Sequence, residues 1–153
     1  MGRVYTVGFD DVAVSAVQDL LSINTSSTVP IAIHEIALSQ RGLTAWESKP
    51  LRFYRVTGSP TITGGTALTA RPHNAGDSAA GGTYKSNHTT VFSGGTSVLV
   101  RPDEFNFLNG FFYLPAPEDR IILSPSSYFI LQLPTAPSAS SNMSLSCTFE
   151  ELC

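Results

Sequence analysis

The sequence predicts an all-β chain, an antiparallel β-sandwich of jelly-roll type with about eight strands. Three observations point there. Apolar residues recur with a period of two, and helical periodicity nearly vanishes. Pro and Gly clusters punctuate the alternating runs. A chain of 153 residues suits one domain, residues 1–153, and a sandwich of that size can bury a real core.

The elements follow in order. "RVYTVGF" (3–9) sets Tyr5, Val7 and Phe9 against Val4, Thr6 and Gly8. "SAVQDLLSI" (15–23) is the one helical candidate, because Ala13, Ala16, Val17, Leu20 and Leu21 share a helical face. It is short, and Leu21 and Ile23 also fit a strand, so a turn followed by a strand is expected. "PIAIHEIALSQ" (30–40) puts Ile31 and Ile33 on one face and His34, Ile36 and Leu38 on the other. "LRFYRVT" (51–57) opposes Leu51, Phe53 and Arg55 to Arg52, Tyr54 and Val56. "TSVLVR" (96–101), "GFFYLP" (110–115), "DRIILS" (119–124), "SYFILQLP" (127–134) and "MSLSCTFEE" (143–151) complete the set.

Two of these strands break the alternation. "FFYL" and "YFIL" are apolar on both faces, whereas a solvated sheet needs only one apolar face. The simplest cover for the second face is another copy of the same subunit about a symmetry axis. Phe111, Phe112, Tyr113 and Tyr128 are therefore the candidate self-association residues.

Between residues 57 and 96 lies a long Gly-, Thr- and Ser-rich stretch, in which Ile62, Leu68, Tyr84, Val91 and Phe92 look like anchors. It reads as a loop-rich insertion of short edge strands and ordered loops projecting from the sandwich. Its polar residues His73, Asn74, Asp77, Tyr84 and Asn87 are candidates for contact with a partner.

Composition narrows the function. Charged residues make up 14% of the chain, against roughly 25% in typical soluble domains. The polarity comes instead from 34 serines and threonines, a neutral surface suited to packing against protein. With a net charge of −3 and scattered Lys and Arg, phosphate neutralisation is a poor basis for binding, so no nucleic-acid partner is expected. No apolar run approaches the roughly 20 residues that span a bilayer, and the first residues do not read as a signal peptide. Cys147 alternates with Leu145 and Phe149 and reads as a buried thiol, and Cys153 as a loose terminal one. If residues 144–151 are extended, the two are too far apart for a mutual disulfide.

The sequence carries no complete catalytic constellation. Gly76-Asp77-Ser78 matches the nucleophile triplet of one esterase class, but that chemistry needs a downstream His, and none follows His88. A metal-dependent jelly roll wants two His one residue apart, a carboxylate and a third His. His34, His73 and His88 lack that spacing, and His34 and Glu35 point to opposite faces of their strand. A His73/His88 pair across the insertion is conceivable, with plain hydrogen bonding the better reading. Asp103, Glu104, Glu118 and Asp119 could suggest a glycosidase pair, but all sit beside Pro or in turns, where pairing with Arg101 or Arg120 is the better account. The chain is read as a non-enzyme with no cofactor and no metal.

"VSAVQDLLSI" followed by "PIAIHEIALSQ", the central "ARPHNAGDSAAGGT" with "NHTT", and "GFFYLPAPEDRIILSPSSYFILQLPTAP" ending in "SLSCTFEEL" form a series. Over most of its length this series resembles small structural proteins of tailed bacteriophages and prophages. The resemblance implies a virion component, assembled in the host cytoplasm as a homotrimer. Its role would be that of a capsid decoration or cement protein bound to the major capsid protein. The alternative is a receptor- or glycan-binding jelly roll on a tail or fibre. For that reading Trp46, the sole Trp, is a candidate platform, although a loop Trp more often plugs the end of a sandwich.

Overall fold

The computed structural model describes residues 2–42 and 46–152. Cys153, expected as a terminal thiol, lies outside the described residues. Fourteen strands are present among those described. They are β1 (Arg3–Val14), β2 (Gln18–Asn24), β3 (Ile31–Arg41), β4 (Ser48–Thr57), β5 (Thr61–Thr63), β6 (Thr66–Leu68) and β7 (Arg71–Pro72). They continue as β8 (Thr83–His88), β9 (Thr90–Ser93), β10 (Thr96–Asn106), β11 (Phe111–Tyr113), β12 (Ile122–Leu123), β13 (Tyr128–Leu133) and β14 (Ser141–Glu151). The helical candidate is a turn followed by a strand, β2. The only helical element among the described residues is a single 3₁₀ turn, Pro117–Asp119.

Two six-stranded antiparallel sheets share one core. Sheet 1 runs β11-β3-β14-β1-β7, with β12 on the same edge of β3 as β11. Sheet 2 runs β10-β4-β13-β2-β8-β6. β14 shows why the pattern reads so cleanly: Met143, Leu145, Cys147 and Phe149 are buried, and the residues between them are only half-buried. Phe53 of β4 ties the sheets together, packing edge-on against Phe129 within sheet 2 and against Phe111 and Tyr113 of sheet 1. At the other end, Tyr5 and Tyr84 both stack on Phe149. Cys147 sits in this core, and burial pushes its thiol pKa upward, so it is a packing residue.

The stretch between residues 57 and 96 corrects an expectation. It does not project from the sandwich. It leaves and re-enters at one neck, where Thr57 pairs with Thr96. Gly58 and Gly95 make that neck with φ of 80° and 69°, a conformation costly for other residues. From there β5 and β9 pair as a separate ribbon, β6 and β8 extend sheet 2 beyond β2, and β7 joins the free edge of β1 in sheet 1. The insertion wraps one face and one edge because its bulky residues have somewhere to go. Tyr84 enters the core at 4% exposure, and Phe92 packs edge-on against Tyr54.

That ribbon answers half of the doubly apolar puzzle. Val56 and Ile130 are fully buried yet belong to the outward-facing rows of sheet 2 and not to the core cluster. The second apolar face of "YFIL" is thus covered by the chain's own β5–β9 ribbon and not by another subunit.

Candidate functional site

The "FFYL" strand has no such cover. Phe111 and Tyr113 turn inward onto Phe53, so the period of two forces Phe112 outward, where it is 60% exposed. Leu114 and Ile122 follow it along the same edge of sheet 1 at 64% and 45%. The facing edge of sheet 2 is β10, which pairs with β4 on one side only. Its Val98, Leu99 and Val100 are exposed on both faces of the strand. Arg101 of β10 lies over the ring of Tyr113 at 5.2 Å, so the two edges meet along one side of the molecule. Six apolar side chains thus lie exposed along this open edge of the sandwich, three on each sheet, and the edge is a candidate protein-contact surface, since soluble monomers rarely leave so much apolar surface bare.

A register shift between Leu99 and Arg101 bends β10 beside Pro102. Bulges and Pro blunt an edge against open-ended strand addition. The exposed apolar side is therefore suited to side-chain packing in a closed assembly.

The face beneath the ribbon is a different kind of site, and sequence reasoning missed it. Asp19 and His88 are fully buried there, and Ser22 nearly so. Asp19 Oδ2 accepts the Phe92 amide at 2.7 Å, and Oδ1 accepts Gln132 Nε2 at 3.0 Å. His88 Nδ1 is 3.3 Å from the Thr63 carbonyl oxygen, which can only accept, so Nδ1 carries the proton. Nε2 then accepts from Ser22 Oγ at 2.8 Å. Burial raises the Asp19 pKa and lowers that of His88. Asn87, in the left-handed region at φ 50°, interrupts the alternation of β8 just before His88, and its Oδ1 accepts Gln18 Nε2 at 2.7 Å. Gly65 is required alongside, because a Cβ there would stand 2.4 Å from His88 Cε1.

Ser22 and His88 reproduce the contact distance of a nucleophile and its base, but not the rest of that machinery. Asp19 bonds to Phe92 and Gln132 instead of the imidazole. Ser22 lies mid-strand, paired on both sides, away from any turn that would offer free amides as an oxyanion hole. The cluster is a clasp that holds the ribbon to sheet 2.

The remaining candidates are dispersed. His73 is exposed at the edge of sheet 1, with Nε2 2.7 Å from Thr6 Oγ1, far in role from the buried His88. Asn74 and Asp77 close a turn, the Asp77 amide donating to the Asn74 carbonyl at 3.0 Å and Asn74 Nδ2 to Asp77 Oδ1 at 3.3 Å. Ser78 of the Gly-Asp-Ser triplet meets Arg3 through its hydroxyl, and its carbonyl accepts Tyr5 Oη at 2.9 Å. Tyr84 is a core residue and not a contact residue. Trp46 is 73% exposed and does not plug the sandwich. Tyr128 is half-buried against a cleft under the ribbon and belongs to a different surface from Phe112. Arg101 pairs with Asp103 at 2.6 Å, as expected, and His34 bonds to Glu150 at 3.0 Å. Among the described residues no three His, Cys, Asp or Glu converge as a metal site, and no helix is long and apolar enough to cross a membrane.

No protein-family model, curated protein or solved structure matches the chain.

Proposed function

We propose that the protein is a non-enzymatic structural component of a tailed-bacteriophage virion. It is a jelly-roll subunit that self-associates as a homotrimer and docks on the major capsid protein as a decoration or cement protein. The strand order supports the jelly-roll reading. Setting aside the wrapped insertion, β1-β14-β3-β11 faces β2-β13-β4-β10, which is the pairing of two interlocked Greek keys. The observation that carries the functional reading is the uncovered edge of the sandwich, where Phe112, Leu114 and Ile122 on sheet 1 and Val98, Leu99 and Val100 on sheet 2 are all exposed. Burying it in a trimer contributes apolar area where charge is scarce.

The test joins analytical ultracentrifugation with co-sedimentation on capsids stripped of accessory proteins. A trimer that pellets with the shell is the expected result. A monodisperse monomer at micromolar concentration that stays in the supernatant overturns the reading. The exposed Trp46 favours a second one, a glycan-binding module of a tail or fibre. That reading requires glycan binding that Trp46→Ala abolishes.

A further inference from the structure

We infer that the cleft between the outer face of sheet 2 and the β5 segment binds an acidic monosaccharide, one pyranose ring bearing a carboxylate. The cleft is open on one side and offers about 180 Å³. A cavity of roughly 150 Å³ admits a single benzene ring, so the space suits one six-membered ring and not a chain of them. Its floor is a grid set by strand register. Ser22 pairs with Lys85, and Asn24 with Thr83, so all four side chains leave the same face of sheet 2. Tyr128, opposite Asn24, borders the floor, and Pro60 and Ile62 form the ribbon wall.

This lining is chemically incomplete. Among the described residues the side chains of Asn24, Thr83 and Lys85 make no hydrogen bond or ion pair. Ser22 gives its proton to His88, which leaves its oxygen free to accept. One ammonium, an amide and two hydroxyls thus converge on a ring-sized space with an apolar wall. A benzene-like ring would leave every one of those groups without a partner, at the cost of their desolvation. A cation is repelled by Lys85. A pyranose carboxylate meets the Lys85 ammonium, its hydroxyls pair with Asn24, Thr83 and Ser22, and its C–H face lies on Tyr128, Pro60 and Ile62. The clasp of Asp19 and His88 then acquires a purpose beyond stability: it holds the ribbon wall at a fixed distance from the floor. The inference does not rest on the virion reading, and capsid binding and sugar binding fail or succeed separately.

The experiment is a ¹⁵N-correlation NMR titration of the full chain with methyl β-D-glucuronide, methyl β-D-glucoside and acetate. The glucuronide is expected to shift amides around Ser22–Asn24, Thr61–Ile62 and Thr83–Lys85. The glucoside should bind about tenfold more weakly, the loss of one charge-assisted contact. Lys85→Met should weaken the glucuronide to the same degree. Ile62→Trp, which fills the cleft, should abolish binding, with thermal unfolding curves verifying that both variants fold. Phe112→Ser, on the opposite contact surface, should leave the titration unchanged. The inference is overturned if the glucuronide shifts no amides, if the glucoside binds equally, if acetate alone matches the glucuronide, or if both cleft variants bind as the parent does.

Discussion

β11 and β13 begin from nearly the same instruction, "FFY" and "YFI", and finish in opposite surroundings. In β13 the outward residues are Tyr128 and Ile130, and Ile130 is buried completely beneath the β5–β9 ribbon. In β11 the outward residue is Phe112, 60% exposed at an edge that the ribbon never reaches. The strands differ in what the topology places above them. β13 lies inside sheet 2, under the path of the insertion that leaves β4, whereas β11 closes the far edge of sheet 1. The lesson is that a doubly apolar strand announces a second cover without saying who supplies it.

Substitution at the covered strand should give the largest effect. Ile130→Ala removes buried methyl groups between two layers that cannot freely collapse, and is expected to cost roughly 2–5 kcal/mol in urea unfolding. A loss under 1 kcal/mol would mean that the ribbon does not seal this face. Asp19→Ala follows. It strands the Phe92 amide and the Gln132 side-chain amide in a buried setting, at a cost of about 1–3 kcal/mol. Amide exchange should quicken first in β5 and β9, because the clasp holds the ribbon and not the sheets. Uniform acceleration through both sheets would contradict that assignment.

These two cases show how much was legible beforehand. Strand positions were, because alternation such as Met143, Leu145, Cys147 and Phe149 is written locally. The burial of Cys147 and the turn before β2 came from the same local signal. The fate of Tyr84 was not, since a Gly- and Thr-rich neighbourhood hides the one register that sends its ring onto Phe149 at 5.2 Å. The clasp was hidden for another reason. Asp19, Ser22, His88 and Gln132 come from three strands far apart in sequence, and His88 turns to Ser22 only because Asn87 takes a left-handed backbone conformation that breaks the alternation. Trp46 misled through frequency: most loop tryptophans are tucked away, and this one is not.

The clasp should also make stability depend on pH, more weakly than either deletion. His88 has its pKa lowered below 6.5, so between its folded value and 6.5 the unfolded chain binds more protons. Stability from His88 is therefore complete above pH 6.5 and falls as acid carries the solution down through that window. Asp19 has its pKa raised above 3.8, which acts in the opposite sense: stability is recovered as pH falls from its folded value toward 3.8. Urea midpoints should decline on acidification below pH 6.5, and His88→Gln should flatten that decline. A parent protein whose midpoint stays level from pH 7.5 to the onset of acid unfolding would show that the imidazole is not held neutral.

The smallest effect on stability is expected where the cover is missing. Phe112→Ser replaces a side chain that the isolated subunit leaves in solvent, so subunit stability should change by no more than about 0.5 kcal/mol. The same change removes the most prominent aromatic of the open side, and a contact surface concentrates its energy in a few such anchors. Sedimentation velocity should then show the assembly shifted toward the single subunit at concentrations where the parent stays associated. Phe111→Ala, one residue away but packed on Phe53, should do the reverse, lowering stability while leaving Phe112 to make its contact. If Phe112→Ser unfolds the subunit as Ile130→Ala does, the two strands are not in contrasting environments, and the open side is no contact surface at all.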